Sequence, residues 1–121
     1  RYQYAILSAF CLCKAGKDKE GKELIREYLK IMDREKEETE YFLTRLFFEN
    51  SGDNDVNNRI TKIKGKTEYY RMMFYLGAYY ELMGKNLTAE KCYLEVLEAK
   101  VPSFIEYRLT KIGMDRLKQR S

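Results

Sequence analysis

Histidine and tryptophan are both absent from this chain of 121 residues, and proline occurs only once. Without histidine, the chain has no Ser-His, Cys-His or His-metal arrangement of the kind used in nucleophilic catalysis and in most zinc sites. One proline and seven glycines, beside abundant Leu, Lys, Glu and Tyr, favour helices over strands. The predicted fold class is therefore all-α.

Long hydrophobic runs are also missing. The longest apolar run covers residues 4–13 and is interrupted by Ser8. A membrane-spanning helix needs about 20 apolar residues, so this run predicts a core helix and no membrane span.

The sequence contains little that could carry catalysis. Gly16 and Gly21 are not followed by the Gly-Lys-Ser or Gly-Lys-Thr of a phosphate-binding loop. Glu37 and Glu40 have the spacing for one helical face, but acidic pairs at that spacing are typical of a solvated surface. We expect a protein that is not an enzyme and that has no catalytic residue and no cofactor.

Cysteine is scarce and odd in number: Cys11, Cys13 and Cys92. Cys11 and Cys13 are two positions apart on a predicted helix, so they project to different sides and cannot hold one metal ion together. A four-ligand site would also need more Cys or His than the chain has. We expect no metal and three buried, reduced thiols, which favours the cytoplasm.

Charged residues are plentiful but only mildly unbalanced, with a net charge of +4. A dedicated nucleic-acid-binding protein usually has a dense basic stripe along one face. The charge therefore disfavours nucleic acid as the partner.

Residues 70–98 have the pattern of two helices joined by a tight turn at Gly84. Their apolar and small residues recur at helical spacing, with a small residue on each helix where the other would cross. The positions are Met73, Leu76, Gly77 and Tyr80 on the first helix, and Ala89, Tyr93, Val96 and Leu97 on the second. This pattern predicts a helical hairpin whose helices approach closely at Gly77.

The same residues resemble a tetratricopeptide repeat, whose signature combines Leu-Gly, an aromatic residue, Ala and a second aromatic residue. Leu76, Gly77, Tyr80, Ala89 and Tyr93 match it. Three positions depart from it, namely Met73 for the usual Trp, Val96 for Ala, and a closing Pro102 that comes one residue late. The resemblance implies a right-handed α-solenoid of about three antiparallel hairpins with a C-terminal capping helix.

The hairpin pattern recurs at a spacing of 68 residues, which is twice the repeat period of 34. The pairs at this spacing are Gly16 with Gly84, Asp18 with Asn86, Gly21 with Ala89, and Ile25 with Tyr93. Asp18 and Asn86 are predicted N-caps of the second helix in each hairpin.

We predict a single helical-repeat domain over residues 1–121, with units at approximately 2–34, 36–69 and 70–102 and a capping helix at 103–118. The middle unit is degenerate: its loop spans residues 50–55, and its short second helix (56–64) ends at Gly65. Ser103 and Glu106 predict a capping box. Because the chain begins at Arg1 inside a helical pattern, we expect a piece of a longer chain, with an N-terminal edge that could self-associate.

The resemblance also implies a function, since the first helix of each repeat commonly lines a groove that binds a peptide or helix of a partner. Carried onto this chain, the groove-facing residues are Gln3, Phe10, Lys14, Glu37, Thr44, Phe47, Arg71, Phe74, Ala78 and Glu81. Core packing is the alternative for the three phenylalanines, and a solvated surface charge is the alternative for Lys14.

Tyrosine is abundant, with eleven copies, and seven of them lie between Tyr69 and Tyr107, in and beside the last unit and its capping helix. One buried face does not require so many, so we expect some to be exposed for contact with a partner. Tyr75 and Tyr79 are the candidates.

Two other functions compete with a protein-interaction scaffold or adaptor. A pentatricopeptide-like array would bind RNA, but Gln3, Glu37 and Arg71 share a register without forming a base-reading code. A peptide-sensing domain of a transcriptional regulator is the second. Residues 87–117 also resemble the last repeat and cap of bacterial tetratricopeptide lipoproteins, which implies a bacterial source and offers the cell envelope as an alternative compartment.

Overall fold

The computed structural model describes residues 1–120, and that range holds seven α-helices and no strand. The prediction of an all-α chain is confirmed. The helices are α1 (Tyr2–Lys14), α2 (Asp18–Ile31), α3 (Glu38–Glu49), α4 (Asp53–Thr61), α5 (Lys66–Leu82), α6 (Asn86–Leu97) and α7 (Ile105–Arg120). They form two compact units, the first from Arg1 to Arg59 and the second beginning at Ile60.

In the first unit, α1 and α2 pair as a hairpin and α3 packs against both helices. The backbone of α2 approaches α1 at Gly21, where an added Cβ would lie 3.0 Å from Cys13 Sγ and 3.1 Å from the carbonyl oxygen of Ala9. Ile6 and Ile25 are fully buried. Small residues at the crossing therefore let two short helices bury their large apolar side chains together.

An arginine ties α4 to α3 in the first unit. Arg59 donates to Asp55 on its own helix at 2.9 Å and also pairs with Glu38 at the start of α3. Its guanidinium lies 4.4 Å from the centre of the Phe42 ring. The short α4 thus has an ion pair and a cation–π contact in addition to its buried Val56.

The turn of the first hairpin is repeated in the second unit. After α1, Gly16 has φ +81° and the N–H of Lys17 donates to Leu12 O; after α5, Gly84 has φ +75° and the N–H of Lys85 donates to Tyr80 O. Both are Schellman turns, in which a left-handed residue ends the helix and satisfies its last carbonyls. The left-handed conformation favours glycine, which explains why glycine stands at both positions.

In the second unit, α5, α6 and α7 pack pairwise around the ring of Tyr93 on α6. A Cβ at Gly77 on α5 would lie 2.7 Å from Tyr93 Cε1, and one at Gly113 on α7 would lie 2.9 Å from Tyr93 Cε2. Phe74 stacks on the same ring, with 5.8 Å between ring centroids. The predicted close approach at Gly77 is confirmed, whereas the second approach at Gly113 was not foreseen.

Three local predictions about helix ends are wrong. Asp18 and Asn86 are the first residues of α2 and α6; the capping positions are Lys17 and Lys85, and neither makes a side-chain capping bond. The loop of the middle segment ends at Gly52, because Asp53–Asp55 already belong to α4, where acidic residues suit the helix N-terminus. The third wrong prediction is the capping box of Ser103 and Glu106.

Ser103 and Glu106 do not form the predicted capping box. Glu106 lies in the first turn of α7, but its Oε2 accepts a hydrogen bond from Tyr75, and its Oε1 is buried with no hydrogen-bond partner among the described residues. The carboxylate therefore points into the second unit and not back along its own helix. α5 also begins at Lys66, one turn before the predicted start of the last unit at residue 70.

Candidate binding site

Most of the residues predicted to face a groove are buried. The buried members are Phe10, Thr44, Phe47, Phe74, Ala78 and Glu81. For the three phenylalanines, the structure agrees with the alternative of core packing. Gln3, Lys14 and Arg71 are half-buried, and Glu37 is exposed, so these four keep a surface through which they could contact a partner.

The prediction that Tyr75 and Tyr79 are exposed is wrong: only 0% and 3% of their surfaces are accessible. All ten residues from Met72 to Glu81 are buried, so α5 has no solvated face over most of its length. A helix that is apolar on all sides belongs in an interior. The many tyrosines of this segment therefore belong to the core.

Glu81 is a structural residue with a fully buried side chain. Its Oε1 accepts from the Tyr93 hydroxyl at 2.9 Å and its Oε2 from Arg116 Nε at 2.7 Å, while Arg116 Nη2 lies 3.1 Å from Oε1. Both carboxylate oxygens are thus occupied by partners on α6 and α7, and a two-bond contact with an arginine is the strong form of such a pair. The carboxylate is not available to a partner protein.

Arg71 lies at the centre of a second polar cluster. Its Nη1 donates to Glu68 at 2.9 Å, its Nε lies 3.5 Å from Glu106 Oε2, and its guanidinium sits 5.4 Å from the centre of the Phe104 ring. Tyr75 donates to the same Glu106 oxygen at 2.7 Å. Arg71 therefore links the start of α5 to the start of α7, and its charge is largely matched within the unit.

Two tyrosines of the second unit resist ionisation. Burial and the neighbouring Glu81 raise the pKa of Tyr93, and burial and a 2.7 Å hydrogen bond to Glu95 raise the pKa of Tyr69. In both cases the folded pKa lies above the value of about 10 for an unfolded tyrosine. Their contribution to stability is therefore complete below pH 10 and is lost as the pH rises above it.

We accordingly expect the free energy of unfolding to fall above about pH 10, with Tyr93 contributing about 1.4 kcal/mol per pH unit. Urea unfolding at pH 9 and pH 11, followed by circular dichroism, measures the fall. Tyr93→Phe and Tyr69→Phe keep the rings but cannot ionise, so each should show a smaller fall. Equal falls in the wild type and both variants would contradict the expectation.

The three cysteines lie in different environments. Cys92 is buried and Cys13 is half-buried, but Cys11 is exposed, so the prediction of buried thiols is wrong for Cys11. Burial raises the pKa of Cys92 to about 12 and also raises the pKa of Cys13, with Asp18 adding to the latter effect. The thiolate is the reactive form, so both groups should react slowly at neutral pH.

With Ellman's reagent at pH 8 we expect one fast thiol, Cys11, a slower Cys13, and no reaction of Cys92 until the protein is unfolded in urea. Mass spectrometry of the trapped adducts assigns each phase. Cys11→Ser should remove the fast phase alone. Early modification of Cys92 in the native protein would contradict the assignment.

One concave site of the second unit is a cleft of about 150 Å³ between the start of α5 and the segment that joins α6 to α7. Its walls are mostly apolar and aromatic. The residues that line it are Lys66, Thr67, Tyr70, Ala99, Val101 and Phe104. Sequence reasoning missed it because its walls come from segments some 30 residues apart, and neither segment carries a motif.

A second groove, in the first unit, runs between α1 and α2 and has a volume of about 400 Å³. Tyr4 and Ile31 line it and are 72% and 77% exposed. It is open and shallow, and Glu27 beside it already pairs with Lys30 at 2.9 Å. Self-association through this N-terminal edge stays a prediction.

The described residues form neither a cluster of metal ligands nor a membrane-spanning helix. Residues 1–120 contain no group of three or more cysteine or acidic side chains placed to hold a metal ion. None of the helices in that range has both the length and the apolar character that crossing a membrane requires.

A comparison with protein-family models gives no match, and comparisons with curated proteins and with solved structures give no significant match.

Proposed function

We propose that this chain is a non-catalytic protein-interaction module, a tetratricopeptide-like α-solenoid of about three hairpins with α7 as the capping helix. The observation that carries the proposal is the hairpin turn repeated at 68 residues, with a left-handed glycine and the same backbone hydrogen bonds at Gly16 and at Gly84. Helical-repeat proteins of this kind commonly act by presenting a surface to a peptide or helix.

The cleft of the second unit is the site at which we place a partner segment. Small-molecule pockets measure about 300–1,000 Å³, so a cleft of 150 Å³ is too small for most such ligands. A cavity of about 150 Å³ accommodates a benzene ring, which makes the cleft suitable for one aromatic or large aliphatic side chain. A partner peptide would anchor one such side chain there.

Arg71 is a poor choice for testing this function. An Arg71→Glu variant would place a new carboxylate beside the buried Glu106 and next to Glu68, so it would damage the fold as well as any binding surface. Val101 is a better choice because it lines the cleft, is 45% exposed and lies outside the polar clusters.

Selection of peptides from a random library displayed on phage, with the whole chain as bait, tests the proposal. Enriched peptides should bind the wild-type chain in fluorescence anisotropy and bind Val101→Asp at least tenfold more weakly. Leu87→Asp is the matched control: Leu87 is an apolar residue of α6, 78% exposed, and not part of the cleft. Failure to enrich any peptide, or equal losses in both variants, would overturn the proposed site.

A further inference from the structure

The cleft of the second unit is flanked by lysines that have no acidic partner. Lys66 lines it, and Lys64 and Lys62 precede Lys66 on an exposed segment between α4 and α5. Lys100 stands between two lining residues, Ala99 and Val101. All four lysines are exposed, and none forms an ion pair within the part of the chain that the structure describes.

The carboxylates close to the cleft in the fold are already engaged. Glu68 accepts from Arg71 at 2.9 Å, Glu95 from the Tyr69 hydroxyl at 2.7 Å, and Glu106 from the Tyr75 hydroxyl at 2.7 Å. Glu98 is the one exposed acidic residue among positions 96–104. Four exposed lysines against this one exposed glutamate leave the border of the apolar cleft with an excess of positive charge.

Lys100 is held in a conformation that lysine seldom adopts. Its φ is +52°, in the left-handed region, and its N–H donates to Leu97 O at 3.3 Å as the chain leaves α6. Glycine or asparagine is the usual residue at such a position, because other side chains are strained there. The fold therefore does not favour lysine at this position, which leaves a role for its charge.

We infer that the cleft binds an acidic peptide segment, in which one large apolar side chain enters the cleft and flanking Asp or Glu carboxylates face Lys64, Lys66 and Lys100. This inference rests on the proposed function and narrows its partner to one chemistry. The apolar walls bind the anchoring side chain, and the lysines favour acidic over neutral and basic peptides by charge complementarity. Neutral and basic peptide segments would lack the attraction between their side chains and these lysines.

Fluorescein-labelled nine-residue peptides with one central Phe test the inference, with the Phe flanked by Asp and Glu, by Ser, or by Lys. In 50 mM salt we expect the acidic peptide to bind the whole chain about tenfold more tightly than the Ser-flanked peptide, which corresponds to several exposed charge contacts. The advantage should shrink in 500 mM salt because exposed charges are screened. Replacing the central Phe by Ala should abolish binding.

Two double variants test whether the lysines beside the cleft cause the preference for acidic peptides. Lys64→Glu with Lys66→Glu should weaken the acidic peptide about tenfold and weaken the Ser-flanked peptide much less, although Lys66 lines the cleft. Lys85→Glu with Lys91→Glu makes the same change in net charge at exposed positions of the second unit outside the cleft, and should have little effect.

Lys100→Gly separates binding from folding. It should raise the melting temperature, because glycine relieves the left-handed strain, and yet weaken the acidic peptide several-fold. A loss of affinity with a gain in stability cannot result from damage to the fold. Weakening of the Ser-flanked peptide to the same extent would overturn the role of the charge.

The outcomes distinguish this inference from the proposed function. If acidic and Ser-flanked peptides bind with equal affinity and the lysine variants have no effect, the preference for acidic peptides is overturned. The proposed function as a peptide-binding module would still stand. Absence of binding by every Phe peptide and by every library peptide overturns both. Tighter binding of single-stranded RNA, or of vesicles containing phosphatidylserine, than of the acidic peptide overturns the inference in favour of a different polyanion.

Discussion

Replacing Arg116 by Met is expected to lower the free energy of unfolding by about 2–3 kcal/mol, somewhat less than the cost of unpairing a fully buried charge because 32% of the Arg116 side chain is exposed. The variant leaves the Glu81 carboxylate inside the second unit without its two-bond contact, and the side chain of Glu81 has no exposed surface. Urea unfolding followed by circular dichroism at neutral pH measures the loss.

Arg26→Met is the matched control. Arg26 also donates to a glutamate at 2.9 Å, but both side chains are about half exposed, so water can replace the contact and the stability should hardly change. A double variant, Arg116→Met with Glu81→Met, should recover part of the loss because no unpaired charge remains. If Arg116→Met cost no more than Arg26→Met, the interior role of Glu81 would be refuted.

Gly77→Ala is expected to destabilise the protein by up to about 2 kcal/mol, because overpacking of a filled interior costs about 1–3 kcal/mol and the helix propensity of Ala offsets part of that cost. The added Cβ would lie 2.7 Å and 2.8 Å from two ring carbons of Tyr93. The ring cannot move away easily because Gly113 of α7 faces its other edge and Glu81 holds its hydroxyl. The loss should occur even though Ala favours a helix over Gly by about 1 kcal/mol.

Gly65→Ala provides the comparison, since no atom lies within 4 Å of a Cβ at that position and its φ of −75° suits any residue. Its stability should stay close to that of the wild type, as measured by the same urea titration. A Gly77→Ala protein that is as stable as the wild type would show that the helices do not approach as closely as described.

Residue spacing was sufficient to predict those parts of the fold that depend on local pattern. Gly16 and Gly84 marked both hairpin turns, and Gly77 marked a close helix crossing, because each of these features requires a residue without a side chain. Helix ends were less predictable. Asp18 suits both the capping position and the first turn of a helix, and the structure places it in the first turn.

The environment of α5 could not be predicted from the pattern of α5 alone. Tyr75 is buried against Glu106, which lies 31 positions later in the chain. Glu81 was predicted to face a groove, but its carboxylate is paired with Arg116, which lies 35 positions later. In both cases a polar group is satisfied by a residue on α7, and no local periodicity records such a pairing.

The candidate site was unpredictable for a related reason. No recognisable motif marks Lys64, Lys66 or the segment around Lys100. They form one candidate site only because α5 and the α6–α7 connection border the same cleft. The sequence predicted binding from a family resemblance; the location of an accessible surface required the structure.

The most direct test of the account is a ¹H–¹⁵N correlation spectrum of the labelled chain titrated with the acidic Phe peptide. We predict that the amide shifts of Thr67, Tyr70, Ala99 and Val101 move with increasing peptide, and that those of α1 and α2 stay in place. Shifts confined to α1 and α2, or no shifts at a peptide concentration of about 1 mM, where even a weak complex would form, would contradict the assignment of the cleft as the binding site.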